Sequence, residues 1–468
     1  MLSIFKINDP YRLIIVLLFL IAVQLPFYFS DLFITIPEIE WQVLGRELAN
    51  GKILYVDVYH NTGILSSLVY WLLSELLPGN YFIYRIIGLL LIFFQALVFN
   101  VILIQSKAYN QNTYVPAAVY ALLMMGIPDI ALLSPQLMSL TFILFAFDLT
   151  FQQIEGRRKQ DWMVLKIGLY IGIAMLFYPL SYLVLLSTIL AFVFYTNTIF
   201  RRYFLILVGF MLPFLLVWLK YYWFDQQADL NYILKYLIFP SANQILLSWR
   251  SIVLLLALPI LLLFMSFIKI LKARAFINYQ IRLQNFMLIM ILVGFVMIFF
   301  DYHQSSHVLV MLIPALSFFI THFFLMFRKT WLAELIFLLF AVYMVSQNFL
   351  LSYDKTELPE LINIAEQRYK PVELPISLKD KKVLVLGDHR GEYYRNELAT
   401  PYLSWEIARH QIEEMDNYER VIKFFNNFSS DMPEVLIDKD VWVEKIFNKI
   451  PQLSHKYKKL NDQVYLLM

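Results

Sequence analysis

Three acidic residues, Glu38, Glu40 and Asp57, lie in a polar stretch that follows the first long apolar segment. A carboxylate beside a membrane face suits base catalysis on a lipid-borne substrate. It can take a proton from an attacking hydroxyl or amine as the bond between a glycosyl group and phosphate breaks. The same acids also suit an ordinary solvated loop. Further along, Asp129 sits in the turn Ile127-Pro128-Asp129-Ile130, ahead of Ser134-Pro135-Gln136. The run Asp301-Tyr302-His303-Gln304-Ser305-Ser306-His307 joins two apolar segments. Its two histidines, four apart, or the Asp301 and His303 pair, have the donor types of a divalent metal site. No third ligand of metal spacing accompanies them, so no metal is assigned, and a hydrated turn accounts for them as well. Asp148 is an acid inside an apolar segment; it lies toward Arg157 and Arg158, where a structural role fits best. The chain has no cysteine, which excludes disulfides, thiolate chemistry and Cys-based zinc sites.

Composition sets the elements that must position these residues. Of 468 residues, 60% are apolar and 16% charged, with a net charge of +3. A soluble chain carries about a quarter charged residues. Disordered, disulfide-stapled, collagen-like and nucleic-acid-binding readings are excluded. Of the 38 basic and 35 acidic residues, 36 fall in 355–468. The chain therefore divides into a polytopic membrane body, 1–354, and a small soluble domain, 355–468. A helix crosses the hydrocarbon core with about 20 mostly apolar residues. Eleven segments qualify, near 12–29, 82–105, 113–127, 135–152, 163–178, 180–198, 203–222, 250–270, 285–300, 307–327 and 331–350. Leu13–Phe29 is long and no small-residue cleavage site follows it, so it reads as an uncleaved anchor. One alternating set of loops holds Lys6, Arg12, Lys107, Arg157, Arg158, Lys159, Arg201, Arg202, Lys269, Lys272, Arg274, Arg282, Arg328 and Lys329. Excess Lys and Arg marks cytoplasmic loops. The N-terminus is then inside and the C-terminal domain outside, in an oxidising compartment. Phe-, Ile- and Lys-rich, glycine-poor usage suggests a bacterial inner membrane.

The outer loop at 30–80 carries the most detail. Trp41 to Ala49 has helical spacing, with Trp41, Leu44 and Leu48 on one side, and Asn50-Gly51 ends the helix. Ile64 to Leu77 is apolar but short, with Pro78-Gly79 after it. Both read as helices lying in the membrane interface. The run of acid, aromatic, amphipathic helix, Asn-Gly, Tyr55-x-Asp57 and short apolar segment resembles the first outer loop of the GT-C glycosyltransferases. More closely, it resembles the protein mannosyltransferase and aminoarabinose transferase branch. In that branch an acidic pair opens this loop, and one of its acids is the catalytic base. The matching stretch here is Pro37-Glu38-Ile39-Glu40. Glu38 falls on the second residue of the pair and Pro37 replaces the first, which leaves the base open between Glu38 and Glu40. The family often places a further acid in the next outer loop. Asp129 fits that loop, while Gln136 stands where a carboxylate is often seen.

The resemblance implies a GT-C fold and an inverting transferase. Its donor would be a polyprenyl-phosphate-linked sugar, and its acceptor a glycan, lipid or protein on the extracytoplasmic face. Asp129 would orient the acceptor. Arg85, Lys220, Arg250, His303 and His307 would hold the carrier phosphate, with Asp57 among the substrate contacts. The three long cations are equally explained as snorkelling anchors at the interface. Trp41, Tyr55 and Tyr59 flank the acids and are the sugar-stacking candidates; most other aromatics belong to the interfacial belt. The departures at Pro37 and Gln136 motivate an alternative, a membrane scaffold or assembly protein that kept the fold and lost the chemistry. A transporter would show broken helices at mid-membrane and an internal repeat, and no clear repeat is present.

In the C-terminal domain, Lys382-Val-Leu-Val-Leu-Gly387-Asp388 and Pro433-Glu-Val-Leu-Ile-Asp438 read as buried strands, with a last strand at Gln463–Leu467. Tyr402–Glu414, Tyr418–Phe425 and Val441–Ile450 have helical patterns. This alternation predicts a small α/β domain with a partly parallel sheet. It holds no dinucleotide fingerprint and no P-loop. The resemblance makes it a lid or acceptor platform, with Asp388, His389 and Arg390 at a strand end as candidate contacts.

Overall fold

Each of the eleven apolar segments forms helix in the computed structural model. The structure describes the chain apart from residues 29–33, 81, 128, 157–159, 197–198, 239–245, 274–275, 302–304, 353–361, 363–367, 370–380, 388–389, 414, 416 and 439–440. The side chains of 227–229, 232 and 395 are also outside the description. Among the sequence candidates, Arg157, Arg158, Lys159, Arg274, His303, Asp388 and His389 thus lie outside the described residues. Among the described residues, six helices are long and apolar enough to cross a membrane: Phe82–Gln105, Pro135–Glu155, Phe200–Trp223, Asn278–Phe300, Ser306–Leu325 and Thr330–Ser352. The pair Trp249–Leu255 and Ala257–Lys272, bent by 65°, adds a seventh if taken as one span. Arg12–Phe27, Val115–Met125 and Pro179–Tyr195 are apolar and shorter. The chain is a multi-pass membrane protein of mostly helical architecture with a small C-terminal sheet.

The contacts group the chain into two units. The first comprises Met1–Leu32, Tyr81–Val217 and Ile245–Glu366. Val115–Met125 is apolar on every side, and all its residues are buried, as an all-round apolar helix inside a bundle should be. Phe204, Met211, Leu215 and Leu216 stand exposed on the helix Phe200–Trp223, as side chains that meet lipid do. The helix Asp161–Phe177 packs so closely on it that a methyl group at Gly168 would lie 2.0 Å from the Ile206 carbonyl oxygen. A methyl at Gly172, one turn on, would lie 2.4 Å from the Phe210 carbonyl oxygen, the small-residue spacing by which membrane helices approach backbone to backbone. Buried polar side chains in this unit find partners on neighbouring helices. Gln95 donates to the Leu137 carbonyl at 2.7 Å and to Thr141 at 2.9 Å, and accepts from the Tyr120 hydroxyl at 2.9 Å.

The second unit comprises Phe33–Asn80, Trp218–Gln244 and Gln367–Met468. Its sheet has five strands, β1 Lys382–Leu386, β2 Glu397–Leu398, β3 Val435–Asp438, β4 Tyr457–Lys459 and β5 Val464–Leu467, in the order β2-β1-β3-β5-β4. β1 runs parallel to β2 and β3; β5 runs antiparallel to β3 and β4. The unbroken apolar runs of β1 and β3 suit central strands covered on both faces. The three longer strands are those the sequence predicts, and the mixed sheet matches the α/β reading. β2 and β4, with two and three residues, are too short to leave a pattern.

Residues of the first outer loop are built into this unit. The helix Ile36–Ala49 starts five residues before the sequence pattern indicates, because Pro37 takes its first turn, where a missing N–H costs nothing. Asn50-Gly51 ends it, with Gly51 at φ +90°. It lies against the helix Ile64–Leu76, and a methyl at Gly45 would meet the Tyr70 carbonyl oxygen at 2.7 Å. Main-chain bonds then tie the loop to the C-terminal segment: Tyr369 N–H to Ile34 O at 2.8 Å, Tyr59 N–H to Pro401 O at 2.7 Å and Ser404 N–H to Tyr59 O at 2.9 Å.

Candidate functional site

Glu38 and Glu40 both sit in the first two turns of the helix Ile36–Ala49, close to its positive end. They are 3% and 0% exposed. Two residues apart on a helix, they face different directions. Glu40 is committed. The Arg390 guanidinium, 1% exposed, donates to one of its oxygens at 2.6 Å. His60 Nε2 lies 3.3 Å from the other. The backbone N–H of Thr62 donates to His60 Nδ1 at 3.1 Å. A backbone N–H can only donate, so Nδ1 is the acceptor and the ring proton sits on Nε2, aimed at Glu40. The Thr62 hydroxyl lies 2.6 Å from the same Nδ1. Glu40 therefore joins the outer loop to the short 3-10 turn Arg390–Arg395 after β1. In that turn the Tyr393 hydroxyl accepts from the Val385 N–H at 2.9 Å, and burial raises its pKa far above the ordinary phenol value.

Glu38 meets a neutral partner: the Gln42 side-chain amide donates to it at 3.1 Å. A second ionic cluster lies lower on the same helix. Lys52 bridges Glu47 at 3.0 Å and Asp431 at 3.3 Å, and Lys382 donates to Asp431 at 2.6 Å. Burial alone would raise the Asp431 pKa; the hydrogen bond from Lys382 and the nearby Lys52 charge outweigh it and hold the carboxyl below its usual value.

The three aromatic candidates are all buried. Trp41 stacks on Tyr70 with centroids 6.0 Å apart. Tyr55, at φ 65°, stacks on Tyr221 and donates its hydroxyl proton to the Thr62 carbonyl at 2.7 Å. Burial pushes its pKa well up. Tyr59 meets the edge of Tyr402 at 5.7 Å. Asp57 is exposed and accepts from the Ile53 N–H at 2.8 Å, closing the turn after the helix. Lys220 is exposed at the end of Phe200–Trp223. These residues, with Glu38, Glu40 and Arg390, belong to the second unit.

Asp129, Arg85, Arg250 and His307 belong to the first. Asp129 takes a left-handed conformation at φ 63° and is half-buried. Arg85 is half-buried near the start of Phe82–Gln105, and Arg250 is exposed in the first turn of Trp249–Leu255. His307 is buried in the 3-10 turn Ser306–Leu312, and Asp301 accepts from the Tyr178 hydroxyl at 2.5 Å. Among the described residues no group of three or more His, Asp or Glu could hold a metal ion.

Sequence reasoning missed His60 and Lys52. His60 is one of seven histidines, follows the Tyr55-x-Asp57 turn and has Thr62 two residues on to fix its ring. That local signal was available, and its partner Glu40 is only 20 residues away; Glu40's other partner, Arg390, is 350 residues away.

No protein-family model matches the chain, and no curated protein matches it. Solved structures do. ArnT of Cupriavidus metallidurans bound to undecaprenyl phosphate is similar at a TM-score of 0.53 and 13% identity, over 98% of this chain and 98% of that one. An oligosaccharyltransferase of Archaeoglobus fulgidus tethered with an acceptor peptide containing the NVT sequon has a TM-score of 0.49 at 10% identity, over 96% of this chain and 72% of that one. AglB of the same organism, in complex with an inhibitory peptide and a dolichol-phosphate, has 0.47 at 10%, over 98% and 74%. The likeness to ArnT along both chains shows that this chain has the GT-C glycosyltransferase fold.

Proposed function

We propose that this chain of GT-C fold is a membrane glycosyltransferase, moving a sugar from a polyprenyl-phosphate carrier to an acceptor on the extracytoplasmic face. The observation that carries the reading is Glu38, a buried carboxylate beside a neutral amide at the head of the first outer-loop helix. It stands in a chain that follows ArnT, a protein crystallised with undecaprenyl phosphate, over its length. Glu40 is bonded to Arg390 and His60, and Glu38 accepts from Gln42; in this reading Glu38 is the base. In this mechanism Glu38 takes the proton from an acceptor hydroxyl or amine. The freed lone pair attacks the anomeric carbon opposite the phosphate. The carbon–oxygen bond to phosphate breaks with its electrons on the leaving oxygen, and the configuration inverts. Arg85, Lys220, Arg250, His303 and His307 are the groups available to hold the phosphate, and Asp129 to orient the acceptor.

The test is transfer from a polyprenyl-phosphate sugar in membranes carrying Glu38→Gln. General-base catalysis is worth about 10²–10⁴-fold, so the rate should fall by that order at unchanged expression and thermal stability. Undiminished transfer by a well-folded Glu38→Gln protein would sink the mechanism. A scaffold that lost its chemistry is the second reading, motivated by the burial of Glu40 in an ion pair and by Gln136. It requires that wild-type membranes show no transfer above those lacking the protein.

A further inference from the structure

In the first unit, a cavity of about 630 Å³ opens between the end of the helix Ala257–Lys272 and the helix Asn278–Phe300. Phe267, Ile270, Phe276, Leu288 and Phe319 form an apolar wall. Leu271, Ile281 and Leu288 at its edge are large, apolar and exposed, so in a bilayer the opening faces hydrocarbon. Water would gain few partners there, whereas an acyl chain would fill it.

One polar group breaks this wall. Gln284 lines the cavity at 7% exposure, and its Nε2 has no hydrogen-bond partner among the described residues. An unmet amide donor in a membrane span is costly, and what it lacks is an acceptor oxygen. Asn285 stands beside it in the lining. Charge supplies the third element. Lys272 lies between the lining residues Leu271 and Ala273, and Arg282 follows the lining residue Ile281; both are exposed. Arg282 also donates to the Tyr195 carbonyl at 3.0 Å, which anchors it at this end of the bundle. Lys269 is turned away from this role: its ammonium donates to the Phe323 carbonyl at 3.3 Å and sits over the Phe327 ring.

We propose that this cavity is a binding site for an acidic glycerophospholipid of the bilayer. One acyl chain would lie along the Phe267–Phe319 wall, an ester carbonyl would accept from Gln284, and the phosphate would sit by Lys272 and Arg282. Basic pockets between membrane helices recognise acidic head groups in this way. The site is independent of the transfer reaction and of the residues assigned to it.

The experiment is native mass spectrometry of the full-length protein, delipidated and then exposed to phosphatidylglycerol or phosphatidylcholine micelles. The wild type should retain one phosphatidylglycerol about thirtyfold better than phosphatidylcholine, from two cations near the surface. Lys272→Gln with Arg282→Gln should erase the preference. Gln284→Leu should weaken retention of both lipids, and Leu288→Trp, which fills the cavity from its lipid edge, should abolish it. Two variants with separate folding risks keep the test open if one does not fold. Equal retention of the two lipids, or unchanged retention by Gln284→Leu and Leu288→Trp, overturns the proposal. So does an equal thermal stabilisation by inorganic phosphate alone, which would mean an anion site without a lipid.

Discussion

The two units bury their polar groups in opposite ways. In the first, fully buried side chains that bond between helices are mostly neutral: Gln95 with Tyr120, Ser139 with Ser181, and Gln347 with the Gly126 and Leu255 carbonyls. Asp301, 3% exposed and accepting from the Tyr178 hydroxyl, and Asp148, half-buried and held by Gln152, are exceptions among the described residues. The second unit buries charge. Glu40 and Arg390 lie face to face at essentially no exposure, and Glu47 is held by Lys52. The difference follows from the solvent that each alternative state would meet. A neutral amide in hydrocarbon asks for one or two partners, and neighbouring helices supply them. A buried charge must be matched by an opposite charge with good geometry, and it then fixes which segments meet. In the second unit that specification falls on the loop bearing Glu38.

The comparison breaks most directly at Arg390. Arg390→Met leaves Glu40 buried without its counter-charge, and removing one partner of such a pair costs about 3–5 kcal/mol. Protease should then cut the second unit at lower temperature, while the helices of the first stay protected. Combining it with Glu40→Leu should restore most of the loss, since an apolar pair of similar volume is often tolerated. A single variant as stable as wild type would mean that Glu40 is not held as the geometry describes.

This pair also marks the limit of what the sequence disclosed. Apolar length located all eleven helical segments, and the runs Lys382–Leu386 and Val435–Asp438 announced the central strands. Glu38 and Glu40 were found by type and place, and Arg390 by its position after a strand. What could not be read was that Glu40 and Arg390 meet, because a loop near residue 40 and a turn near 390 share no local pattern. Trp41, Tyr55 and Tyr59 show the same limit. Their spacing beside the acids suggested stacking on a ligand; the structure packs each against another ring of the second unit, partners again distant in sequence.

A smaller effect sharpens the other side of the contrast. Gln95→Leu removes a neutral amide from the first unit, leaving the Tyr120 hydroxyl and the Leu137 carbonyl to find other partners. Interhelical hydrogen bonds of membrane helices are worth about 0.6 kcal/mol on average, so thermal unfolding in detergent should shift only slightly. A loss as large as that of Arg390→Met would erase the distinction between neutral and ionic burial.

The smallest effect concerns the partly exposed ion pairs of the second unit, where water already screens the charge. Asp431 bonds Lys382 and Lys52, and its carboxyl is held below the usual value of about 3.9. A group whose folded-state pKa is depressed contributes stability above its unfolded-state pKa and loses it as the pH falls through the folded-state value. Asp431→Asn should therefore cost about 0.5 kcal/mol or less at neutral pH, the range of exposed pairs. The gap between wild type and variant should start to close below about pH 4 and vanish in stronger acid. Unfolding midpoints measured at pH 7 and in acid give the answer: a gap that widens on acidification would show that Asp431 is stabilised in its protonated form, against the Lys382 contact. A loss at neutral pH approaching that of Arg390→Met would place Asp431 among the buried pairs, and the screening argument would fail.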